Sequence, residues 1–437
     1  MRKFSPEIKI LLLLLLPVIG IAVLHHLATG FTIYNDGIGY YSYIRSLAVD
    51  QDVDFLNEWR WYNQSYSKFS DVPRGVNFPE TRTPTGKIDN LYLIGSSAMW
   101  SPFFLAAHIP SLILQWLGLG VVADGYGLQY EIAIGAANII YGLLGIILMY
   151  KLCRKWYSRK TSLIATVTLW YGTAFIWYHA VEPAMSHMNS VLLTSLFVYT
   201  WYTTLGKRSK LQWLLLGGIL GMIFLVRQQE IIFGLLVGFE LMGKVLPKIE
   251  LSRIKSAFSE GVAFAAGLIA TLIPQMLVWK SLQGSYLVYS YSQTTEYWHW
   301  TFPQIPQLFF LPEAGMWRVP AMLLGLIGVF IMAKRTGKVA WYFAAVIIAD
   351  LLVTSAWTGW TYGYGIRFLL GLSVFFALGL AEAFERISLR FGSKASYALA
   401  GILILANFAN MLSFLLGEVS SKVPVSEIPR VLFNMLF

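Results

Sequence analysis

Leu91-Tyr-Leu-Ile-Gly-Ser-Ser-Ala-Met-Trp100-Ser-Pro-Phe-Phe-Leu-Ala-Ala-His108-Ile-Pro110-Ser-Leu-Ile-Leu-Gln-Trp116 is the stretch whose reading decides the fold. It is long and apolar enough to cross a bilayer, which takes roughly 20 residues. Ser96, Ser97, Ser101, Pro102, His108 and Pro110 nevertheless interrupt it. The basic residues on either side settle how it lies. They fall in short clusters: Arg2/Lys3/Lys9, Lys151/Arg154/Lys155/Arg159/Lys160, Lys207/Arg208/Lys210, Lys244/Lys248/Arg253/Lys255, Lys334/Arg335/Lys338 and Arg386/Arg390/Lys394. If 91–116 does not cross, all six share one side. If it crosses, every cluster after the first flips outward, against the positive-inside rule. We therefore read 91–116 as a re-entrant or interfacial helix, tolerable in a membrane where protein covers its backbone.

Other apolar stretches fall at about 8–28, 128–150, 161–178, 187–205, 211–226, 230–246, 258–279, 317–333, 339–356, 366–383 and 395–416. The expected fold is thus an all-α polytopic membrane protein with about eleven transmembrane helices. Its N-terminus lies inside and its C-terminus outside. Residues 1–437 form a single membrane domain, with a first outer loop at 29–127 carrying interfacial helices. A second large outer loop spans 280–316, and an outer C-terminal tail covers 417–437. Composition agrees: 57% of the 437 residues are hydrophobic and 13% charged, against about 25% charged in a soluble chain. The net charge of +10 belongs to the short inner loops and sets topology rather than nucleic-acid binding. No inner loop is long enough for a nucleotide-binding domain, and the single cysteine, Cys153, excludes an internal disulfide framework.

Ionisable groups at the lipid boundary are costly, so each is a candidate for function. Asp36, in Tyr34-Asn35-Asp36-Gly37, stands just beyond the first span and begins an amphipathic helix. It is either the helix N-cap or a general base. The alternating carboxylates Asp50, Asp52 and Asp54 could bind a divalent cation such as Mg²⁺ or Mn²⁺ through oxygen. Their bland alternative is a solvated, helix-ending acidic turn. His179, Glu182 and His187 share a short outer turn; they are proton or metal ligands, or a polar turn bonded within the bundle. Arg227, with Gln228, and Arg367, in Trp357-Thr-Gly-Trp360-Thr-Tyr362-Gly-Tyr364-Gly-Ile-Arg367, are outer basic residues that need a local anion. That anion is a phosphate, which arginine grips with a planar fork, or a carboxylate such as Glu230 or Asp350. The glycines and aromatics near Arg367 suit a sugar ring or prenyl chain. Lys280 and Arg318 are weaker versions of the same idea.

Taken together, Asn35-Asp36-Gly37 with Tyr40-Tyr41, the acidic run Asp50–Glu58, Trp100-Ser-Pro-Phe-Phe104, Glu182-Pro183 with Ser186-His187, Val226-Arg227-Gln228, Pro312-Glu-Ala-Gly315 and Tyr364-Gly-Ile-Arg367 resemble the GT-C membrane glycosyltransferases. The nearest branch in that resemblance is the protein O-mannosyltransferases and the bacterial lipid A aminoarabinose transferase. The resemblance implies a polyprenyl-phosphate-linked sugar donor, transfer with inversion to an acceptor lipid, glycan or protein, and a bacterial plasma membrane location. It implies a catalytic carboxylate matching Asp36; the departing phosphate of such a donor needs cations, which suits Arg227, Arg367 and Lys280, and Tyr40, Tyr41, Glu182, His187, Gln228, Trp360 and Tyr364 are the candidate substrate contacts. Better-known members carry Glu after the Asp, where this chain has Gly37. The competing reading is a non-catalytic lipid or polysaccharide transporter, or a scaffold subunit of an envelope complex. Transporters often carry inverted repeats, and none stands out here.

Overall fold

The computed structural model describes residues 5–65, 79–290, 298–301, 303–311 and 314–422, with side chains as far as residue 416. Arg2, Lys3, Pro312, Glu313 and the tail beyond Lys422 lie outside the described residues. The chain is helical: α1 (Pro6–Leu13), α2 (Leu15–Thr29), α3 (Asp36–Arg45), α4 (Leu56–Asn63), α5 (Gly95–Trp116), α6 (Leu128–Cys153), α7 (Arg159–Tyr171), α8 (Phe175–Ala180), α9 (His187–Thr203), α10 (Lys210–Val226), α11 (Leu235–Val245), α12 (Leu251–Gln283), α13 (Ile305–Phe310), α14 (Pro320–Thr336), α15 (Lys338–Ala356), α16 (Ser373–Phe391) and α17 (Ser393–Lys422). Among the described residues, β pairing is limited to two isolated bridges, Arg82 with Ile88 and Trp298 with Trp357.

Local sequence starts these helices where expected. Ser158 accepts a hydrogen bond from the Thr161 amide at the head of α7. Ser209 and Gln212 form a reciprocal capping box at the head of α10, satisfying amides that a helix start leaves unpaired.

Seven described helices are long and apolar enough to cross a membrane: Pro6–Thr29, Gly95–Trp116, Leu128–Cys153, Leu251–Gln283, Lys338–Ala356, Arg367–Phe391 and Ser393–Leu416. Six match expected spans, and the seventh is α5. The other five expected spans are shorter or broken. α9, α10 and α14 have 17 residues each. The stretch at 161–178 divides into α7 and α8, and that at 230–246 joins a 3₁₀ segment, Gln228–Gly234, to α11. The breaks near Gly172 and Arg227 lie toward the end of the bundle where Asp36, Arg227 and Arg367 gather.

Every residue from Phe368 to Phe384 is buried, so the first part of α16 is the central post of the bundle. α14 meets it backbone to backbone: a Cβ on Gly328 would stand 2.0 Å from the Gly379 carbonyl oxygen. α10 and α12 meet in the same way, with a Cβ on Gly217 only 1.9 Å from the Phe264 oxygen. Lipid gives no hydrophobic drive for helices to associate, so close approach through small residues supplies the contact.

The basic clusters gather at one end. Glu382 on α16 accepts from Tyr157, Arg335 and Arg386, drawn from three different basic connections. Arg208 pairs with Glu240 and Lys244 with Glu260. Asp36, Arg227 and Arg367 occupy the opposite end.

Pro102 and Pro110 lie inside α5 without ending it. Its first residue, Gly95, abuts the backbone of Leu225 and Val226 at the C-terminal end of α10. Farther along, Phe103 packs on Tyr141, and His108 bonds the Tyr130 hydroxyl at 2.8 Å. α5 therefore runs antiparallel beside the first half of α6, and both of these anchors are at the Asp36 end of the bundle.

Candidate active site

The site begins with a turn. The chain leaves α2 at Gly30, and Asn35 adopts φ 50°, a backbone region costly for a non-glycine residue and frequent where function requires it. Asn35, not Asp36, is the N-cap, and its side chain makes no capping bond. The capping alternative for Asp36 thus fails on geometry. Asp36 is the first residue of α3, and its carboxylate faces a cavity of about 230 Å³. Gly37 follows because the neighbouring turn is too close for a side chain: a Cβ there would stand 2.5 Å from the Ala184 carbonyl oxygen. A second carboxylate at position 37 is therefore excluded by the packing of the Glu182–Ser186 turn.

Two arginines reach the same cavity from different elements. α10 stops at Val226, and Arg227 is extended, with φ −150° and ψ 105°. Its Nε lies 3.4 Å from Glu230 Oε1. Its NH1 donates to His187 Nδ1 at 3.3 Å and to Ser186 Oγ at 3.4 Å. The guanidinium stacks over Phe368. The carboxylate alternative for Arg227 therefore holds in part, since Glu230 partners one edge while the group still lines the cavity. Arg367 opens the 3₁₀ turn that leads into α16, and its NH1 lies 3.2 Å from Asp36 Oδ2. Its Nε has no hydrogen-bond partner among the described residues.

Tyr92 completes the pocket. Its hydroxyl donates to Asp36 Oδ1 at 2.9 Å, and its ring lies so close to Gly39 that a Cβ there would stand 2.1 Å away. Tyr40 packs on Tyr92 with ring centroids 4.6 Å apart, and its hydroxyl accepts from Ser186 at 3.3 Å. Burial, with the Asp36 carboxylate next, pushes the Tyr40 phenol above its ordinary range. Tyr289, Trp298, Trp357 and Tyr362 add aromatic surface at the rim.

Of the residues expected from sequence, Asp36, Tyr40, His187, Arg227, Gln228 and Arg367 line this cavity. The rest are placed elsewhere. Tyr41 is buried and donates to the Gly125 carbonyl. Tyr364 donates to Asn407, and Trp360 donates to Gln304. Glu182 acts electrostatically on Arg367 and Tyr178 without lining the cavity. His179 spends both ring nitrogens, one accepting from Trp170 and the other on the Ile139 carbonyl. Lys280 donates to Gly284 at the end of its own helix, and Arg318 lies over Trp317.

The acidic run does not converge. Asp50 pairs with Arg45 and accepts from Asn57. Asp52 accepts from Ser46 and from the Asp54 amide, and Asp54 accepts from the Ile88 amide. These bonds fix the loop, as turn-forming carboxylates do. Among the described residues, no three His, Cys, Asp or Glu side chains come together as a metal set.

Sequence reasoning passed over Tyr92, Gln229 and Phe368. Tyr92 sits inside an apolar run, where nothing marks it apart from any interfacial tyrosine. Gln229 and Phe368 adjoin the two arginines, and that adjacency was the available signal.

No protein-family model matches the chain, and no curated protein matches it significantly. Solved structures do. The apo crystal structure of the Archaeoglobus fulgidus oligosaccharyltransferase aligns at a TM-score of 0.52 and 13% identity, over 100% of this chain and 60% of that one. The Archaeoglobus fulgidus oligosaccharyltransferase AglB, in complex with an inhibitory peptide and a dolichol-phosphate, aligns at 0.44 and 13% identity, over 97% and 60%. The chain thus spans about 60% of the length of the structures it matches. With its helical bundle and apolar spans among the described residues, the chain shares its fold with the aligned part of the first of these structures.

Proposed function

We propose that this protein is an inverting glycosyltransferase that moves a sugar from a polyprenyl-phosphate donor to an acceptor hydroxyl on the non-cytoplasmic face of the membrane. The observation that carries the reading is the meeting of Asp36, Arg227 and Arg367 in one cavity from α3, the end of α10 and the head of α16. Support for the sidedness comes from the basic clusters at the far end of the bundle and from the positive-inside rule. On that face nucleotide sugars are absent, and a lipid-linked sugar is the activated form at hand.

In the reaction, Asp36 takes the proton of the acceptor hydroxyl. The hydroxyl oxygen bonds to the anomeric carbon as the bond from that carbon to the phosphate oxygen breaks. The electron pair leaves with the polyprenyl phosphate, whose added charge Arg227 and Arg367 neutralise. Asp36 is the carboxylate among the described lining residues; Glu230 is held behind Arg227. One carboxylate at the cavity favours a single displacement, and hence inversion, over a covalent sugar intermediate.

The test is direct. Purified protein in liposomes, given a polyprenyl phosphate carrying a radiolabelled sugar, should release or transfer that sugar. Mass spectrometry should find polyprenyl phosphate among its co-purifying lipids. Flux of labelled lipid across the vesicle without sugar release would overturn this reading in favour of a transporter.

A further inference from the structure

Each of the two cavity arginines pairs with a carboxylate, and the pairs differ in how firmly that carboxylate is held. Glu230 is fully buried, and each of its oxygens lies 2.7 Å from Ser190 Oγ. It has no route to solvent and stays with Arg227. The Asp36 side chain is 28% exposed to the cavity. It also has support apart from Arg367, namely the Tyr92 hydroxyl at 2.9 Å and its place at the head of a ten-residue helix, where negative charge is favoured. Arg367 in turn keeps a buried Nε without a hydrogen-bond partner among the described residues, so it has donor capacity beyond what Asp36 uses. Only the Asp36–Arg367 pair is built to open.

We propose that Arg367 serves two anions in turn, exchanging Asp36 for the donor phosphate, so that donor binding frees Asp36 Oδ2 to receive the acceptor's proton. Tyr92 keeps Oδ1 throughout and holds the carboxylate's orientation. The base is thereby tied up until the sugar donor has arrived, and the donor is spared premature attack by water. This inference rests on the assignment of Arg367 to the phosphate given above.

Carboxylate and phosphate then compete for one guanidinium, and competition is reciprocal. Binding of a short-chain polyprenyl phosphate should be measured for the wild type, Asp36→Asn, Arg367→Gln and the double variant, each first shown to be folded by its thermal unfolding. Asp36→Asn should bind about fivefold tighter or more, the lower end of typical coupling between sites. Arg367→Gln should bind more weakly, and in its background Asp36→Asn should no longer tighten binding. Unchanged or weaker binding by Asp36→Asn would overturn the exchange. So would equal tightening in the Arg367→Gln background, which would make the effect general charge repulsion. Wild-type affinity in Arg367→Gln alone would instead sink the phosphate assignment itself. Should Asp36→Asn fail to fold, Asp36→Ser takes its place with the same outcomes.

Discussion

Helix α3 carries a charge at each end, and the two ends behave differently. At the last residue, Arg45 is enclosed: it bonds Asp50, Glu58 at 2.9 Å and the Asp124 carbonyl at 3.0 Å, with the Tyr126 ring over its guanidinium. At the first residue, Asp36 meets Arg367 and Tyr92 but still faces the cavity. Both signs suit the helix dipole. What separates them is the open side. A charge bounded by protein all round fixes architecture, whereas one with a free side can do chemistry.

That contrast can be broken at either end. The largest effect should come from Asp36→Asn, which should lower sugar transfer by about 10²–10⁴-fold and leave the melting temperature in detergent unchanged. A drop in melting temperature matching the activity loss would make Asp36 architectural after all. Arg45→Ala should do the reverse, because it strands the buried Glu58 carboxyl. It should cost about 3–5 kcal/mol of stability, seen as a lower melting temperature, while the protein that remains folded keeps its turnover. Tyr92→Phe should be milder, with loss of one hydrogen bond to a charged group costing about 1.5–3 kcal/mol. It should appear in kcat rather than in the donor KM.

The smallest effect sharpens the Arg45 end. Burial raises the Glu58 carboxyl to about 7, against the pull of Arg45; one guanidinium serves two carboxylates there. The folded protein therefore holds a proton that the unfolded chain gives up at its ordinary carboxylate pKa. The stabilisation is full below that lower value and is lost as pH rises through about 7. Thermal unfolding should show greater stability at pH 5 than at pH 8, and Glu58→Gln should flatten that contribution.

The same contrast shows what the sequence could reveal. Asp36, Arg227 and Arg367 were legible because each interrupts or ends an apolar stretch, where an ionisable residue needs a reason to be. Asp50, Asp52 and Asp54 looked like cation ligands because alternation in sequence carries no record of direction. In three dimensions each turns to a different loop amide or side chain. Tyr364 and Trp360 looked like a sugar platform from their glycine-rich setting, yet that setting serves a tight turn whose rings point back into the bundle. Lys280 looks in sequence like a cation in search of an anion, and its own helix end satisfies it. The Tyr92–Asp36 bond spans 56 residues, and no local pattern encodes a contact that only the folded loop creates. Span number was the other difficulty. Helices such as α9 and α14 are packed on protein for much of their surface, so their length is not set by lipid thickness alone.

Because Arg367 sits at the head of a segment buried from Phe368 to Phe384, its backbone is anchored against α9, α15 and α16. Whatever reach it has must come from its own χ torsions. Side-chain rotation is a fast process, so the anion exchange proposed for this arginine needs no hinge, no sliding domain and no large rearrangement of the bilayer around it.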